Sequence, residues 1–330
     1  FFSQIRRVAA LWVPVGTIGV SIALSRYIPR ITDTAVIRRR AWNTVMIVSA
    51  VLALHVLILT RPEVTSVLKP VVGERLDLSW PFILQLCGLS MLVLPYAILR
   101  GLHRIRLAAA LQVFGYALWP LMCLTLHSRS SLPTLVTWIG LGQLLLGLLV
   151  CIVVLRWCEP LRVPENPVAD PGLLSWLGYG LARLPGGAFA FVLWAGVPMV
   201  LSRYGQSIEV ALANAVTSLV NLPVMILSPL SFVLLPRLSL AQVQGEDSAV
   251  QSFLRRGLRA AWELQLPATL SLFIFLEQIL VFWLGFPADS FIGPGRWMVL
   301  SIPAVTLFLF CRPAVDARAM TPYAVIAQGI

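Results

Sequence analysis

Long apolar runs alternate with short polar connections along the whole chain. The runs fall at about 8–24, 41–60, 81–99, 107–126, 134–155, 173–200, 208–235, 262–284 and 297–311, and a tenth begins at 322–330. Most match the ~20 apolar residues that a helix needs to cross a bilayer. Apolar residues follow one another within each run, so the alternating in/out pattern of a membrane barrel, repeated over about ten residues, is excluded. The pattern predicts an all-α polytopic membrane protein.

The runs are also internally related. Trp80–Arg100 is echoed by Trp297–Arg318, each an apolar run opened by Trp and closed by Arg with a small residue. Upstream, "ALSRYIPR" at 23–30 is answered by "LLPRLSLA" at 234–241, and "VIRRRAW" at 36–42 by "LRRGLRAAW" at 254–262. The offsets are 211 for Arg26 to Arg237, 220 for Trp42 to Trp262, 217 for Trp80 to Trp297 and 218 for Arg100 to Arg318. An interval of this size holds six spans with their loops, which predicts two six-helix lobes related by a pseudo-two-fold, as in many transporters. The expected division is an N-lobe at 1–156, a connector at 157–172 and a C-lobe at 173–330. The proline-rich connector "WCEPLRVPENPVADPG" suits an extended, helix-poor link. The helix at 173–200 would open the second lobe, and its counterpart would precede residue 1. The chain is therefore expected to be a fragment of about ten transmembrane helices, lacking the first helix of one lobe and the last helices of the other.

Composition agrees. Hydrophobic residues are 58% and charged residues 12%, with mean hydropathy +0.87, against about 45–50% and ~25% in soluble domains. The net charge of +11 is explained without nucleic acid. Alternate connections carry 16 basic residues on one side and 6 on the other, so the richer side is cytoplasmic. All but Lys69 of the 25 basic residues are arginines, whose planar fork suits phosphate groups; a GC-rich genome gives the same bias. The five cysteines show no CxxC and no clustering with histidine, so no metal, cofactor or disulfide framework is expected. The polar stretch at 240–259 predicts an amphipathic helix on the cytoplasmic surface, with Phe253, Leu254 and Leu258 toward lipid.

Several segments resemble a known family. "VLSRYGQSIEVALANAVTSLVNLPVMILSPLSFVLLPRLS" at 200–239 and "LRRGLRAAWELQLPATLSLFIFLEQILVFWLG" at 254–285 are similar to the lipid-linked oligosaccharide flippases of the multidrug/oligosaccharidyl-lipid/polysaccharide superfamily. "LRGLHRIRLAAALQ" and "DARAMTPYAVIAQ" resemble that family's recurring turns. Where many members carry a charged pair late in the seventh helix, this chain has Val197-Pro198. The resemblance implies two lobes around a cationic cavity, alternating access, and export of an undecaprenyl-pyrophosphate-linked glycan across the bacterial cytoplasmic membrane. It implies a lipid-linked glycan and membrane lipids as partners, with other polysaccharide-assembly proteins alongside. A cation-coupled multidrug exporter of the same superfamily and a non-enzymatic membrane scaffold are the alternatives. A membrane enzyme is disfavoured, because the connections are too short to hold catalytic groups.

Arg183 is the sharpest candidate for substrate binding. It sits mid-span in "LSWLGYGLARLPGGAFAFVLWAG", where an isolated charge costs ~2.5–3.5 kcal/mol and so faces a cavity or a partner. Pro185-Gly186-Gly187 predicts a helix break beside it. Its alternative role is structural pairing with a carbonyl or with Glu277. Glu277 is the candidate for ion coupling. Asn214, Thr217 and Asn221 share one helix face at i, i+3, i+7, for glycan contact or for interhelical hydrogen bonds. Arg26 and Arg237 occupy matching repeat positions and either guide a pyrophosphate headgroup or contact lipid phosphate. His55, Gln85, Gln112 and Gln143 are polar marks expected to be packed.

Overall fold

The computed structural model describes residues 9, 12–61, 63–64, 79–127, 129–157, 170–186, 196, 200–201, 207–244, 247–285 and 289–318. Among them we number ten helices: α1 (Val20–Tyr27), α2 (Thr34–Leu59), α3 (Ser79–Gly101), α4 (Ile105–Leu126), α5 (Leu132–Trp157), α6 (Leu173–Leu181), α7 (Ser207–Gln244), α8 (Asp247–Leu284), α9 (Asp289–Leu300) and α10 (Ile302–Arg318). Among the described residues there is no strand. Six stretches are long and apolar enough to cross a membrane: Thr34–Leu59, Trp80–Gly101, Ile105–Leu126, Leu132–Arg156, Leu254–Leu284 and Phe291–Ala317. The tenth run at 322–330, most of the connector at 157–172, and Val197-Pro198 lie outside the described residues.

Two expectations change. The polar stretch at 240–259 is not a separate surface helix: its start belongs to α7 and its remainder opens α8. Arg255, Arg256 and Arg259 are good helix formers, and an Arg259–Glu263 pair at i, i+4 supports the continuous helix. The run read at 297–311 extends from Phe291 to Ala317, because Pro294 and Gly295 are carried inside α9.

The residues form two compact units, one running to Ala188 and the other from Phe189 to Ala319. In the first, α3 is the central helix. It packs most extensively on α5, and glycines make the approach close. A Cβ on Gly88 would overlap the Gly140 carbonyl, and one on Gly147 would lie 2.8 Å from the Met91 carbonyl carbon. Small residues at such a seam let helices gain van der Waals contact where lipid offers no hydrophobic drive.

The same unit holds a buried amide relay. Gln85 Nε2 donates to Gln143 Oε1 (2.8 Å), and Gln143 Nε2 donates to the Gly115 carbonyl (2.9 Å). Gly115 lies in a π-helical turn, Phe114–Leu118, within α4. In that register its carbonyl would be met by the N–H of residue 120, which is proline and has none. Gln143 supplies the missing donor, so the polar marks at 85 and 143 repair a proline defect. α2 begins at Asp33, whose side chain accepts from Ala35 N (2.8 Å) and Val36 N (3.4 Å), a carboxylate N-cap.

In the second unit, Leu212, Val216 and Leu219 of α7 share a core with Leu276 and Leu280 of α8, Val299 of α9 and Ile302 of α10. Gln265 Nε2 donates to the buried Pro223 carbonyl at 2.7 Å, tying α8 to α7 at a proline.

Candidate functional site

Two broken helices of the first unit build the site. The helical stretch at 12–16 stops at a turn over 17–19, and α1 restarts at Val20. Ile18 (φ 50°) and Gly19 (φ 63°) both sit in the left-handed region. Glycine accepts this freely; a β-branched isoleucine does not, which stores ~1–3 kcal/mol of strain. The second break falls at Ala182-Arg183, where Arg183 N bonds Gly180 O at 3.0 Å instead of continuing α6. The break expected at Pro185–Gly187 thus begins two residues earlier, since proline clashes with the preceding turn.

The breaks meet. A Cβ on Gly19 would overlap the Gly180 carbonyl, and one on Gly180 would lie 2.7 Å from the Ile18 carbonyl oxygen. α1 and α6 therefore cross backbone to backbone, which only glycine at both positions allows.

This crossing gathers charges and rings. Trp176 and Tyr179 are three apart on one face of α6, and Arg183 lies in the break just past its end; Arg26 and Arg30 are four apart at the end of α1 and in the following turn. Tyr27 stacks on Trp176 (centroids 5.4 Å) and meets Tyr179 edge to face (5.5 Å). The guanidinium carbon of Arg26 lies 4.4 Å from the Tyr179 ring centroid, and that of Arg183 lies 3.5 Å from it. Arg183 Nη1 also donates to the Tyr179 carbonyl at 3.2 Å. Arg26 and Arg183 are 2% and 1% exposed, so both charges lie inside protein. Trp176 Nε1 is buried with no hydrogen-bond partner among the described residues. Arg30, in the connection before α2, is pulled down to about 10 by burial and then by the like charge of Arg26. It stays charged at neutral pH, beside the like charge of Arg26.

The structure thus brings two of the sequence candidates, Arg26 and Arg183, onto one tyrosine. The remaining candidates lie in the second unit. Asn214 Nδ2 donates to Val210 O (2.8 Å) and Thr217 Oγ1 to Ala213 O (2.6 Å), both back onto α7 itself. Asn214 keeps a buried Oδ1 without a partner among the described residues, and Asn221 is half-buried. Arg237 and Glu277 are exposed. One hydrogen bond of Arg183 goes to the Tyr179 carbonyl of the preceding helix α6, a carbonyl pairing of the kind named among its expected roles. Tyr27, Arg30, Trp176 and Tyr179 were missed as site residues, although the shared face of "WLGYGLAR" was visible. His55 is packed, its ring bonding Val51 O (2.8 Å) and meeting Trp12 edge-on.

No protein-family model matches the chain, and no curated protein does. Solved structures do. A crystal structure of MATE in the straight conformation superposes with TM-score 0.74 at 15% identity, covering 99% of this chain and 75% of that one. MATE in the bent conformation gives 0.76 at 13%, covering 98% and 77%. The outward-facing conformation of a multidrug resistance MATE family transporter of the MOP superfamily gives 0.67 at 11%, covering 99% and 75%. At these identities the likeness establishes the fold: the chain is an all-helical, multi-pass membrane protein built like the MATE transporters.

Proposed function

We propose that the chain is a membrane exporter that flips a lipid-linked, pyrophosphate-bearing oligosaccharide by alternating access, within the superfamily of the transporters whose fold it shares. The observation that carries this reading is the gathering of the buried Arg26 and Arg183 on Tyr179, with the partly buried Arg30 close by and Tyr27 stacked on Trp176. Like charges held together inside protein repel, and a bound anion relieves that repulsion. A pyrophosphate matches forked guanidinium groups, and the buried Trp176 Nε1, without a partner among the described residues, adds a neutral donor. The aromatic rings offer surfaces for sugar faces. The prenyl tail stays in lipid, and no bond is made or broken. Arg237 steers headgroups at the cytoplasmic face in this scheme, and Glu277 carries any coupling ion. The setting is the bacterial cytoplasmic membrane, with enzymes of surface-polysaccharide assembly as neighbours.

Drug export is the second reading, favoured by the multidrug resistance transporter among the structural neighbours. A cationic drug would be repelled by three clustered arginines, which sets the two readings apart. In vesicles reconstituted with the protein, a labelled polyprenyl-pyrophosphoryl glycan should cross between leaflets and a cationic dye should not be extruded. Dye efflux without glycan flipping would replace this function with drug export.

A further inference from the structure

We propose a second anion site, separate from Arg26 and Arg183, that holds an anionic phospholipid of the cytoplasmic leaflet. A cavity of about 560 Å³ lies between the start of α2 and the end of α5, lined by Ala35, Arg38, Arg39, Trp42, Ile152, Leu155 and Arg156. The Asp33 cap sets the helical register from Thr34, so Ala35, Arg38, Arg39 and Trp42 fall on one face of α2. Arg38 Nη2 donates to the Arg156 carbonyl at 3.4 Å. Among the described residues, Arg38, Arg39 and Arg156 form no ion pair, whereas the next residue, Arg40, is paired with Asp170. Three positive charges therefore line the cavity, and among the described residues that line it there is no carboxylate.

The other half of the lining is apolar and continues toward the membrane interior. Trp42 is 47% exposed and leads one turn on to Met46, 56% exposed. Ile152 is 46% exposed and leads one turn back to Leu149, 61% exposed. This end of α2 and α5 is the arginine-rich, cytoplasmic end, where tryptophan favours the headgroup level. A free phosphate would use only the arginines. A phosphodiester lipid uses both halves: its phosphate on Arg39 and Arg156, its acyl chains along Met46 and Leu149.

The full-length protein in detergent, titrated with phosphatidylglycerol or phosphatidylcholine and read by native mass spectrometry, tests this. Wild type should retain phosphatidylglycerol in preference to phosphatidylcholine. The Arg39→Gln/Arg156→Gln variant should bind it about 30-fold more weakly, each arginine near the surface contributing roughly a factor of five. Ala35→Glu keeps all the arginines and places an acid in a helical first turn, where it is tolerated, yet it should abolish binding by filling the cavity with negative charge. Arg259→Gln, at an exposed pair on α8, should change nothing. Unchanged phosphatidylglycerol binding in both the double variant and Ala35→Glu would overturn the site. So would displacement of the lipid by an equal concentration of inorganic phosphate, which would mark a free-anion site instead.

Discussion

Arg183 in the break that follows α6 and Thr217 within α7 are both buried polar residues, at 1% and 2% exposure, yet their environments differ. Thr217 gives its one donor to Ala213 O, and its neighbour Ser218 likewise bonds Asn214 O at 2.8 Å. A hydroxyl can be satisfied by the helix that carries it. A guanidinium has five donors and a permanent charge, more than one backbone carbonyl can satisfy; Arg183 reaches that of Tyr179 and packs on the Tyr179 ring. Polarity inside a span is therefore a weak pointer when the group is neutral and short, and a strong one when it is charged and sits at a helix break.

The largest effect expected is at the crossing itself. Gly180→Val should cost ~3 kcal/mol or more through overpacking against the Ile18 carbonyl, read as a large fall in the thermal midpoint of the purified protein. Two residues away, a Cβ on Gly178 meets nothing within 4 Å, so Gly178→Ala should be neutral or stabilising by ~0.5–1 kcal/mol. Equal midpoints for the two would dissolve the contrast between crossing and open helix face.

Arg183→Ala should lower the initial flipping rate by roughly 10–100-fold, the range for losing one charge-assisted contact of ~1.5–3 kcal/mol, while the protein remains folded. Tyr179→Leu should lower it by about tenfold through loss of both cation–π contacts, and Tyr179→Phe should restore it.

Arg30→Gln should raise the thermal midpoint while slowing transport. The folded protein holds the Arg30 pKa at about 10, below its ordinary value, so at neutral pH the charged side chain opposes folding. That opposition disappears only as pH rises beyond about 10. Stability and flipping measured from pH 6 to 8 should therefore show no titration from Arg30, and the substitution alone should separate them. The smallest effect is at Thr217→Val, within about 1 kcal/mol in stability and with flipping unchanged. A large transport defect there would return the α7 stripe to the substrate path.

Much of this was visible in the sequence. Apolar runs gave the spans, since length and continuity determine what crosses a bilayer. Arg183 and its helix break were visible because a charge, a proline and two glycines stand together. The aromatic half of the site was not, because Trp176 and Tyr179 read equally as core until α1 is packed against α6. The crossing at Gly19 and Gly180 depends on two backbones separated by some 160 residues, and no local pattern reports such an approach. The π-helical turn was equally hidden: Pro120 announces a lost hydrogen bond, but only the packed helices reveal that Gln143 replaces it.

The central claim is that buried arginines at the α1–α6 crossing receive a pyrophosphate. Its most direct test is calorimetric binding of a short-chain prenyl pyrophosphate and the matching uncharged prenyl alcohol to wild type and Arg183→Ala. The account predicts that wild type binds the pyrophosphate more tightly than the alcohol and that Arg183→Ala removes most of that difference. Equal affinity of wild type for the two ligands, or an undiminished preference in the variant, would contradict it.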